Sequence, residues 1–214
     1  MLFLLSTLCV LIWSLAIAFD IQTSTISNQK IQFGLISRRS RYRSGTRYNT
    51  RGVDSQGNVG NFNETEQLLV VPASTTESAT IFSFVQTRGS APFHWAEIIN
   101  LVFVPGLLVM DKPDSPNAFA LHLDTQQSIY GEQMLVNLVK ARGREKIIKE
   151  AYEKRVEEYN SEEKHLNKLG YEFFDLHTEC SNNKWERIGS LIERVEPYLL
   201  KNGLVPGGVQ EICV

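Results

Sequence analysis

The apolar pattern of this 214-residue chain changes near residue 117, and the change restricts the folds that the chain can adopt. Before that point, short runs rich in β-branched and aromatic residues alternate with turns, which is typical of a mainly β half. The runs lie at residues 32–36, 46–50, 68–71 and 80–87, with a turn-rich stretch at residues 52–58. Two prolines, two aspartates and an asparagine then mark residues 111–117 as an exposed loop.

Behind that loop the spacing of apolar residues becomes helical. Apolar side chains follow one another at intervals of four, four and three residues, namely Ile148, Tyr152, Val156 and Tyr159. This spacing places them on one face and predicts an amphipathic helix over residues 143–159. Residues 171–176 predict a buried strand, whereas the apolar run within residues 128–140 fits either a strand or a short helix.

The last predicted element is a second helix, capped by Ser181 or Asn182 and kinked or stopped at Pro197. Its apolar side is expected to carry Trp185, Ile188, Leu191, Ile192 and Val195. A helix, a strand and a helix in this order indicate α/β layering. We therefore expect a mixed α/β fold at the border with α+β, in which a largely β first half is followed by helix-strand-helix layering.

A cluster of six arginines is the most distinctive charge feature of the chain. Residues 38–51 hold no carboxylate and carry Arg38, Arg39, Arg41, Arg43, Arg47 and Arg51. Over the whole chain 22 basic residues oppose 24 acidic ones, and this balance argues against a nucleic-acid partner. Because the planar guanidinium group matches the oxygens of phosphate or carboxylate, the cluster favours binding of an anion.

The same arginines have a structural alternative, in which they pair with carboxylates of the protein itself. Glu64 and Glu66 follow the cluster closely, and Asp54 and Glu97 are further candidates. For any single arginine, such pairing or simple solvation is as much to be expected as contact with a ligand. The sequence alone leaves both interpretations open.

The chain begins with an apolar segment that has two interpretations. Residues 2–19 contain no charge, and residues 16–18 resemble a signal-peptidase site, although no basic residue precedes them. The segment is therefore either a secretory signal or membrane anchor, or a buried strand. We divide the chain into this segment, residues 1–19, and a domain of residues 20–214.

The three cysteines of the whole chain lie far apart in the sequence and define no disulfide framework.

A set of short motifs follows one order along the domain. They are residues 37–48, with the sequence SRRSRYRSGTRY, residues 51–54 and 58–67, residues 84–90 with Pro92 and Trp95, residues 130–131 and 135–139, and residues 174–180. In this order they resemble the Sac family of phosphoinositide phosphatases, over a span from residue 15 to residue 212.

The resemblance implies an incomplete Sac catalytic domain and removal of phosphate from phosphoinositide headgroups, without a metal or other cofactor. It implies a cysteine nucleophile in a Cys-x5-Arg-Thr loop, whose backbone N–H groups bind phosphate and lower the thiol pKa. The implied partner is a phosphoinositide lipid or an anionic membrane surface, at the cytosolic face of the endoplasmic reticulum and Golgi. Candidates for contact with headgroup phosphates or with the anionic leaflet are Arg43, Arg47, Arg51 and Arg88.

The Cys-x5-Arg-Thr loop is absent from this sequence. None of the three cysteines, which are Cys9, Cys180 and Cys213, is followed six residues later by arginine. We therefore name no catalytic residue and expect the chain to be inactive alone. Residues 207–212 resemble the family segment that comes just before the loop, so we expect a truncated open reading frame rather than a degenerate paralogue or a deliberate fragment.

Two classes of function follow from the sequence. One is an enzyme-family member that lacks the nucleophile, and the other is a catalytically dead module that binds an anionic membrane or a partner through residues 38–51. His177 and Cys180 are interpreted as a structural polar pair rather than metal ligands, because no zinc-like spacing accompanies them. Trp95 and Trp185 are expected to be core residues.

Overall fold

A computed structural model describes residues 14–26, 29–46, 50–72, 79–98, 105–165, 167–201 and 212–213. The strands in these ranges are β1 (Ser14–Ile26), β2 (Gln29–Ser40), β3 (Asn63–Val71), β4 (Thr80–Arg88), β5 (Trp95–Ile98), β6 (Gly106–Val109), β7 (Met134–Asn137), β8 (Gly170–Phe173) and β9 (Ile212–Cys213). The helices are α1 (Ser115–Tyr130), α2 (Lys146–Ser161), α3 (Leu176–Glu179) and α4 (Ile188–Lys201), and 3₁₀ turns occupy Gly143–Glu145, Ser181–Asn183 and Trp185–Arg187. The expected α/β class with a mainly β first half is confirmed.

Strands β1 to β4 form an antiparallel meander in which each strand pairs with the next. The strands expected at residues 32–36, 68–71 and 80–87 are confirmed as parts of β2, β3 and β4. The expectation for residues 46–50 was wrong at its two ends, because Thr46 and Thr50 belong to no strand, and residues 47–49 lie outside the described residues. Strand β1 runs across residue 19, and residues 1–13 also lie outside the described residues.

The same sheet continues with parallel strands. Its order is β1-β2-β3-β4-β9-β7-β8, and the pairs β4–β9, β9–β7 and β7–β8 are parallel. The apolar run within residues 128–140 is therefore a strand, β7. The strand expected at residues 171–176 is confirmed in its first part as β8, but its residues are half-buried rather than buried. Because these strands run the same way, the carboxyl ends of β4, β7 and β8 meet at one edge of the sheet.

Helices cover both faces of the parallel part of the sheet. On one face, Leu135 of β7 packs with Phe119 and Leu123 of α1 and with Val156 and Tyr159 of α2. On the other face, the neighbouring β7 residues Met134 and Val136 pack against Val195 of α4. The helix predicted over residues 143–159 is confirmed as the turn Gly143–Glu145 followed by α2.

Helix α1 corrects the exposed loop expected at residues 111–117. Its first residue, Ser115, is fully buried, and Pro116 occupies the first turn, where a missing backbone N–H costs no hydrogen bond. The helical pattern was hidden because the buried face of α1 includes polar residues, namely His122, Gln126 and Gln127. Only residues 111–114 remain outside regular structure.

Helix α4 also differs from its predicted form. Neither Ser181 nor Asn182 caps it, because both lie in a 3₁₀ turn and Asn182 has a left-handed φ of 57°. Trp185 lies in the following turn with 58% of its surface exposed, so the expectation that it is a core residue was wrong. Pro197 lies inside α4 and does not stop it, since the helix continues to Lys201.

Candidate functional site

A cleft of about 500 Å³ opens at the carboxyl ends of the parallel strands β4 and β7. Its walls are residues 89–91 after β4, residues 136–139 of β7 and beyond, Trp95, Glu97 and Leu107 of the β5–β6 hairpin, and Arg51, Arg144, Glu145, Ile148 and Tyr152. Open α/β sheets bind ligands at this edge, outside the carboxyl ends of their strands. The cleft is therefore the candidate functional site.

Arg51 reaches the cleft because a tightly bonded turn holds the backbone that follows it. The N–H of Gly52 donates to the hydroxyl of Ser90 at 2.7 Å, and the N–H of Gly60 donates to the carbonyl oxygen of Gly52 at 2.8 Å. Gly52 has a φ of +71°, and a Cβ at this position would lie 2.7 Å from the carbonyl oxygen of Phe93. Glycine is therefore required immediately after the cleft arginine.

The guanidinium group of Arg51 is held by an aromatic ring and a carboxylate. It lies 5.2 Å from the centre of the Trp95 ring, and its Nε and Nη2 donate to Oε2 of Glu97 at 3.2 and 3.0 Å. Trp95 and Glu97 point to the same face of β5 because they are two residues apart in a strand. Trp95 is half-buried in the cleft wall, and its indole N–H donates to the carbonyl oxygen of Ala91 at 3.3 Å.

A second arginine, Arg144, approaches the same carboxylate from the turn before α2. Its Nη1 lies 3.5 Å from Oε1 of Glu97 and donates to the carbonyl oxygen of Pro105 at 2.7 Å. Glu97 is therefore flanked by two guanidinium groups, although only 4% of its own side chain is exposed. Ionised carboxylates are stable at such burial only when they are paired.

Two of the cluster arginines form structural contacts away from the cleft. Arg38 donates to Glu64 and Glu66 of the neighbouring strand, both at 2.6 Å. Burial lowers the pKa of the Arg38 guanidinium, but the contacts with Glu66 and Glu64 outweigh this effect and raise it. Arg39 donates to the carbonyl oxygen of Gly45 at 2.9 Å and to the side chain of Asn61. For Arg38 the structural alternative of pairing with carboxylates is confirmed, whereas Arg39 contacts a carbonyl oxygen and an amide side chain instead.

Three of the four predicted contact residues lie in the described part of the chain, at different places. Arg51 lines the cleft, whereas Arg43 is not among its lining residues and donates Nη2 to the carbonyl oxygen of Arg51 at 2.8 Å. The side chain of Arg88 is exposed at the end of β4 and forms no hydrogen bond or ion pair with another described residue. Arg47 lies outside the described residues.

The loop after β7 is fixed by buried polar groups. The buried side chain of Asn137 donates to the hydroxyl of Tyr171 at 3.0 Å and accepts from the N–H of Val139 at 3.3 Å. Asp175 accepts from the N–H groups of Ala141 and Thr178 at 2.8 and 2.9 Å. Burial raises the pKa of the Asp175 carboxyl, but these hydrogen bonds outweigh it and lower the pKa. Asp175 is therefore an ionised cap of α3 rather than a proton donor.

Several cleft residues were missed by sequence reasoning. Arg144, Ser90 and Asn137 belong to no charge cluster. Their common signal is a position at or just after the end of a parallel strand, or in the turn before the helix that follows it. Cys180, the one cysteine whose side chain the structure describes, is buried and free. It lies beyond α3 and does not line the cleft.

The described residues hold neither an arranged set of metal ligands nor a membrane-spanning helix. Among these residues, no group of three or more His, Cys, Asp and Glu side chains is arranged to hold a metal ion. No described helix has the length and apolar character needed to cross a membrane.

Comparison with known proteins identifies a family. A family model described as the SacI homology domain matches residues 4–181. The phosphatidylinositol-3-phosphatase SAC1 of Saccharomyces cerevisiae is 46% identical over 172 residues, which are 80% of this chain and 26% of the relative. SAC1-B of Danio rerio, with the same activity in its name, is 37% identical over 170 residues, 79% of this chain and 27% of the relative.

A human relative is named for a broader class of substrate. The phosphatidylinositide phosphatase SAC2 of Homo sapiens is 40% identical over 166 residues, which are 78% of this chain and 14% of the relative. The chain thus spans only 26%, 27% and 14% of the lengths of these three relatives.

Proposed function

Since this chain belongs to the SacI homology domain family, we propose that it provides the headgroup-binding scaffold of a phosphoinositide phosphatase. We further propose that the chain has no phosphatase activity alone, because its sequence contains no Cys-x5-Arg-Thr loop. The relatives are named as phosphatases of phosphatidylinositol 3-phosphate or of phosphatidylinositides, and this substrate class is proposed for the parent enzyme.

The observation that carries this proposal is the direction of β9 relative to the cleft. Cys213 pairs with Thr87 of β4 on one side and with Leu135 of β7 on the other. All three strands run in parallel, so β9 is directed towards the edge of the sheet at which the cleft opens. In the family pattern a Cys-x5-Arg-Thr loop follows the segment that ends near β9. Such a loop would reach the cleft beside Arg51.

In this proposal the four arginines predicted as contact residues have different roles. Arg51 contacts a headgroup phosphate in the cleft, and Arg43 holds the Arg51 backbone in place. Arg88, which is exposed at the rim of the sheet, contacts the anionic leaflet together with Arg47. The partner is therefore a phosphoinositide in a membrane, and the proposed location is the cytosolic face of the endoplasmic reticulum and Golgi.

A chimera tests the proposed function. The matching segment of the Saccharomyces cerevisiae relative is replaced by residues 20–201 of this chain, and phosphate release from phosphatidylinositol 3-phosphate is measured. We expect the chimera to release phosphate and the 214-residue chain alone to release none. Arg51→Ala in the chimera should lower kcat/KM by about 10²-fold, since a positioned charge on phosphate contributes a few kcal/mol.

One control variant and two outcomes decide the proposal. Arg39→Ala removes a cluster arginine that does not line the cleft, and it should leave kcat/KM within a few-fold of the parent chimera. A folded but inactive chimera, or release by the 214-residue chain itself, would show that the assignment is wrong.

A second candidate function is membrane binding without catalysis. The exposed arginines Arg41 and Arg88 favour it, because neither is paired with a carboxylate of a described residue. In sedimentation with vesicles that contain phosphatidylserine, the 214-residue chain should pellet at low salt and be released at high salt. Pelleting should fall on Arg41→Ala plus Arg88→Ala and persist on Arg38→Ala. Equal pelleting by all three proteins would contradict this role.

A further inference from the structure

Glu97 is the most buried charged group of the cleft, and it faces both cleft arginines. Its Oε2 accepts from Arg51 at 3.0 Å, and its Oε1 lies 3.5 Å from Arg144. The side chains of Arg51 and Arg144 are 20% and 37% exposed, so both remain accessible from the cleft, whereas Glu97 is 4% exposed. Glu97 is thus an anion already bound behind the two cations.

The geometry of Arg51 leaves part of its guanidinium group for a second anion. Its Nε and Nη2 both donate to one oxygen of Glu97. Its Nη1 forms no hydrogen bond with another described residue, and Trp95 covers one face of the group. The carboxylate and the ring therefore hold the guanidinium in one orientation, with one edge free to contact phosphate oxygens.

The charges that line the cleft balance. Arg51 and Arg144 contribute two positive charges, and Glu97 and Glu145 contribute two negative charges. Glu145 is tied to the loop after β7, because its carboxylate accepts from the N–H of Lys140 at 2.9 Å. A phosphate in the cleft therefore meets two guanidinium groups whose field is reduced by the carboxylates of Glu97 and Glu145.

We propose that Glu97 is a positioning residue and an internal counter-ion, which orients Arg51 and Arg144 and limits the affinity of the cleft for phosphorylated ligands. This inference rests on the proposed function only in taking the cleft as the headgroup site. Two substitutions of Glu97 separate its charge from its role as a hydrogen-bond acceptor. Glutamine keeps an acceptor for Arg51 and removes the charge, whereas alanine removes both.

The test is calorimetric titration of the 214-residue chain with inositol 1,4-bisphosphate. Glu97→Gln should bind about tenfold more tightly than the parent chain, the effect of removing one charge about 6 Å from a dianion in a water-like dielectric. Glu97→Ala should bind more weakly than Glu97→Gln, because Arg51 is no longer oriented.

Two control variants accompany this test. In Glu97→Gln plus Arg51→Ala the tenfold gain in affinity should disappear. Glu150→Gln makes the same charge change on the exposed side of α2 and should leave the affinity unchanged.

A variant of Arg144, which is more exposed than Glu97, tests the same inference without changing a buried side chain. Arg144→Gln leaves Glu97 opposed by Arg51 alone and should weaken binding about tenfold by the same Coulomb argument. If the parent chain binds and both Glu97→Gln and Arg144→Gln bind equally well, the inference is overturned while the proposed function stands. If neither the parent chain nor Glu97→Gln binds, both are overturned. Tighter binding by Glu97→Gln supports the inference.

Discussion

At the scale of single residues, His122 shows how a polar side chain becomes part of the core. Its Nδ1 donates to the carbonyl oxygen of Gly57 at 3.0 Å, and its ring meets Phe62 edge to face at 5.9 Å. Burial lowers the pKa of this imidazole from 6.5 to about 4, although the hydrogen bond to Gly57 opposes the change. The folded protein therefore holds His122 in the neutral form.

This pKa predicts a loss of stability in mild acid. As the pH falls below 6.5, the pKa of His122 in the unfolded chain, the unfolded chain binds a proton at this residue. The folded protein does not bind that proton until about pH 4. The free energy of unfolding should fall by about 2 kcal/mol between about pH 7.5 and about pH 5. Urea titrations at both pH values check this, and His122→Asn, which keeps a donor for Gly57, should reduce the difference. The exposed His177→Asn is the control, and an undiminished difference in His122→Asn would contradict the assignment.

At the scale of elements, the turn after Arg51 packs directly on α1. Asp54 accepts from the N–H groups of Gln56 and Asn58 at 3.0 and 2.9 Å, which closes the turn, and Val53 and Val59 pack against Ala118 of α1. The turn-rich stretch was visible in the sequence as Asp, Asn and Gly residues. Its partner α1 was not visible, because four of the buried residues of α1 are polar and break the apolar period.

Gly57 provides a sharp test of this contact. It has a φ of +80°, and a Cβ would lie 2.9 Å from the backbone nitrogen of His122. Gly131 has a similar φ of +87° but nothing within 4 Å of the same position, so it is a matched control. Gly57→Ala should lower the free energy of unfolding by about 1–2 kcal/mol more than Gly131→Ala. Equal losses in thermal or urea unfolding would show that the turn does not approach α1 this closely.

At the scale of the whole molecule, the sheet has two differently covered halves. Helices cover both faces of the parallel half, whereas the antiparallel half exposes apolar side chains, among them Phe19 and Ile21 of β1 and Phe33 of β2. In the described sheet β1 is an edge strand of 13 residues. Long edge strands with apolar side chains pair readily with other chains.

We therefore expect the isolated chain to self-associate through β1. Analytical ultracentrifugation should detect an average mass that rises with protein concentration. Phe19→Lys plus Ile21→Lys places charges on the exposed edge strand and should return the mass to that of a monomer. Gln22→Lys and Ser24→Lys add the same charge without removing apolar surface and should have a smaller effect. A monomer at all concentrations would contradict the prediction.

The amino-acid sequence by itself determined the strands β2 to β4, the helix α2 and the family, because period, composition and ordered motifs are local properties of the chain. It also singled out Arg51 and named Glu97 as one partner for the arginines. Only the tertiary structure decided which arginines face the cleft, because Arg51, Glu97 and Arg144 are brought together by a loop, a hairpin and the turn before α2, which are distant in the sequence. Parallel pairing through β9 likewise joins residues more than 70 positions apart, and no local pattern encodes such contacts.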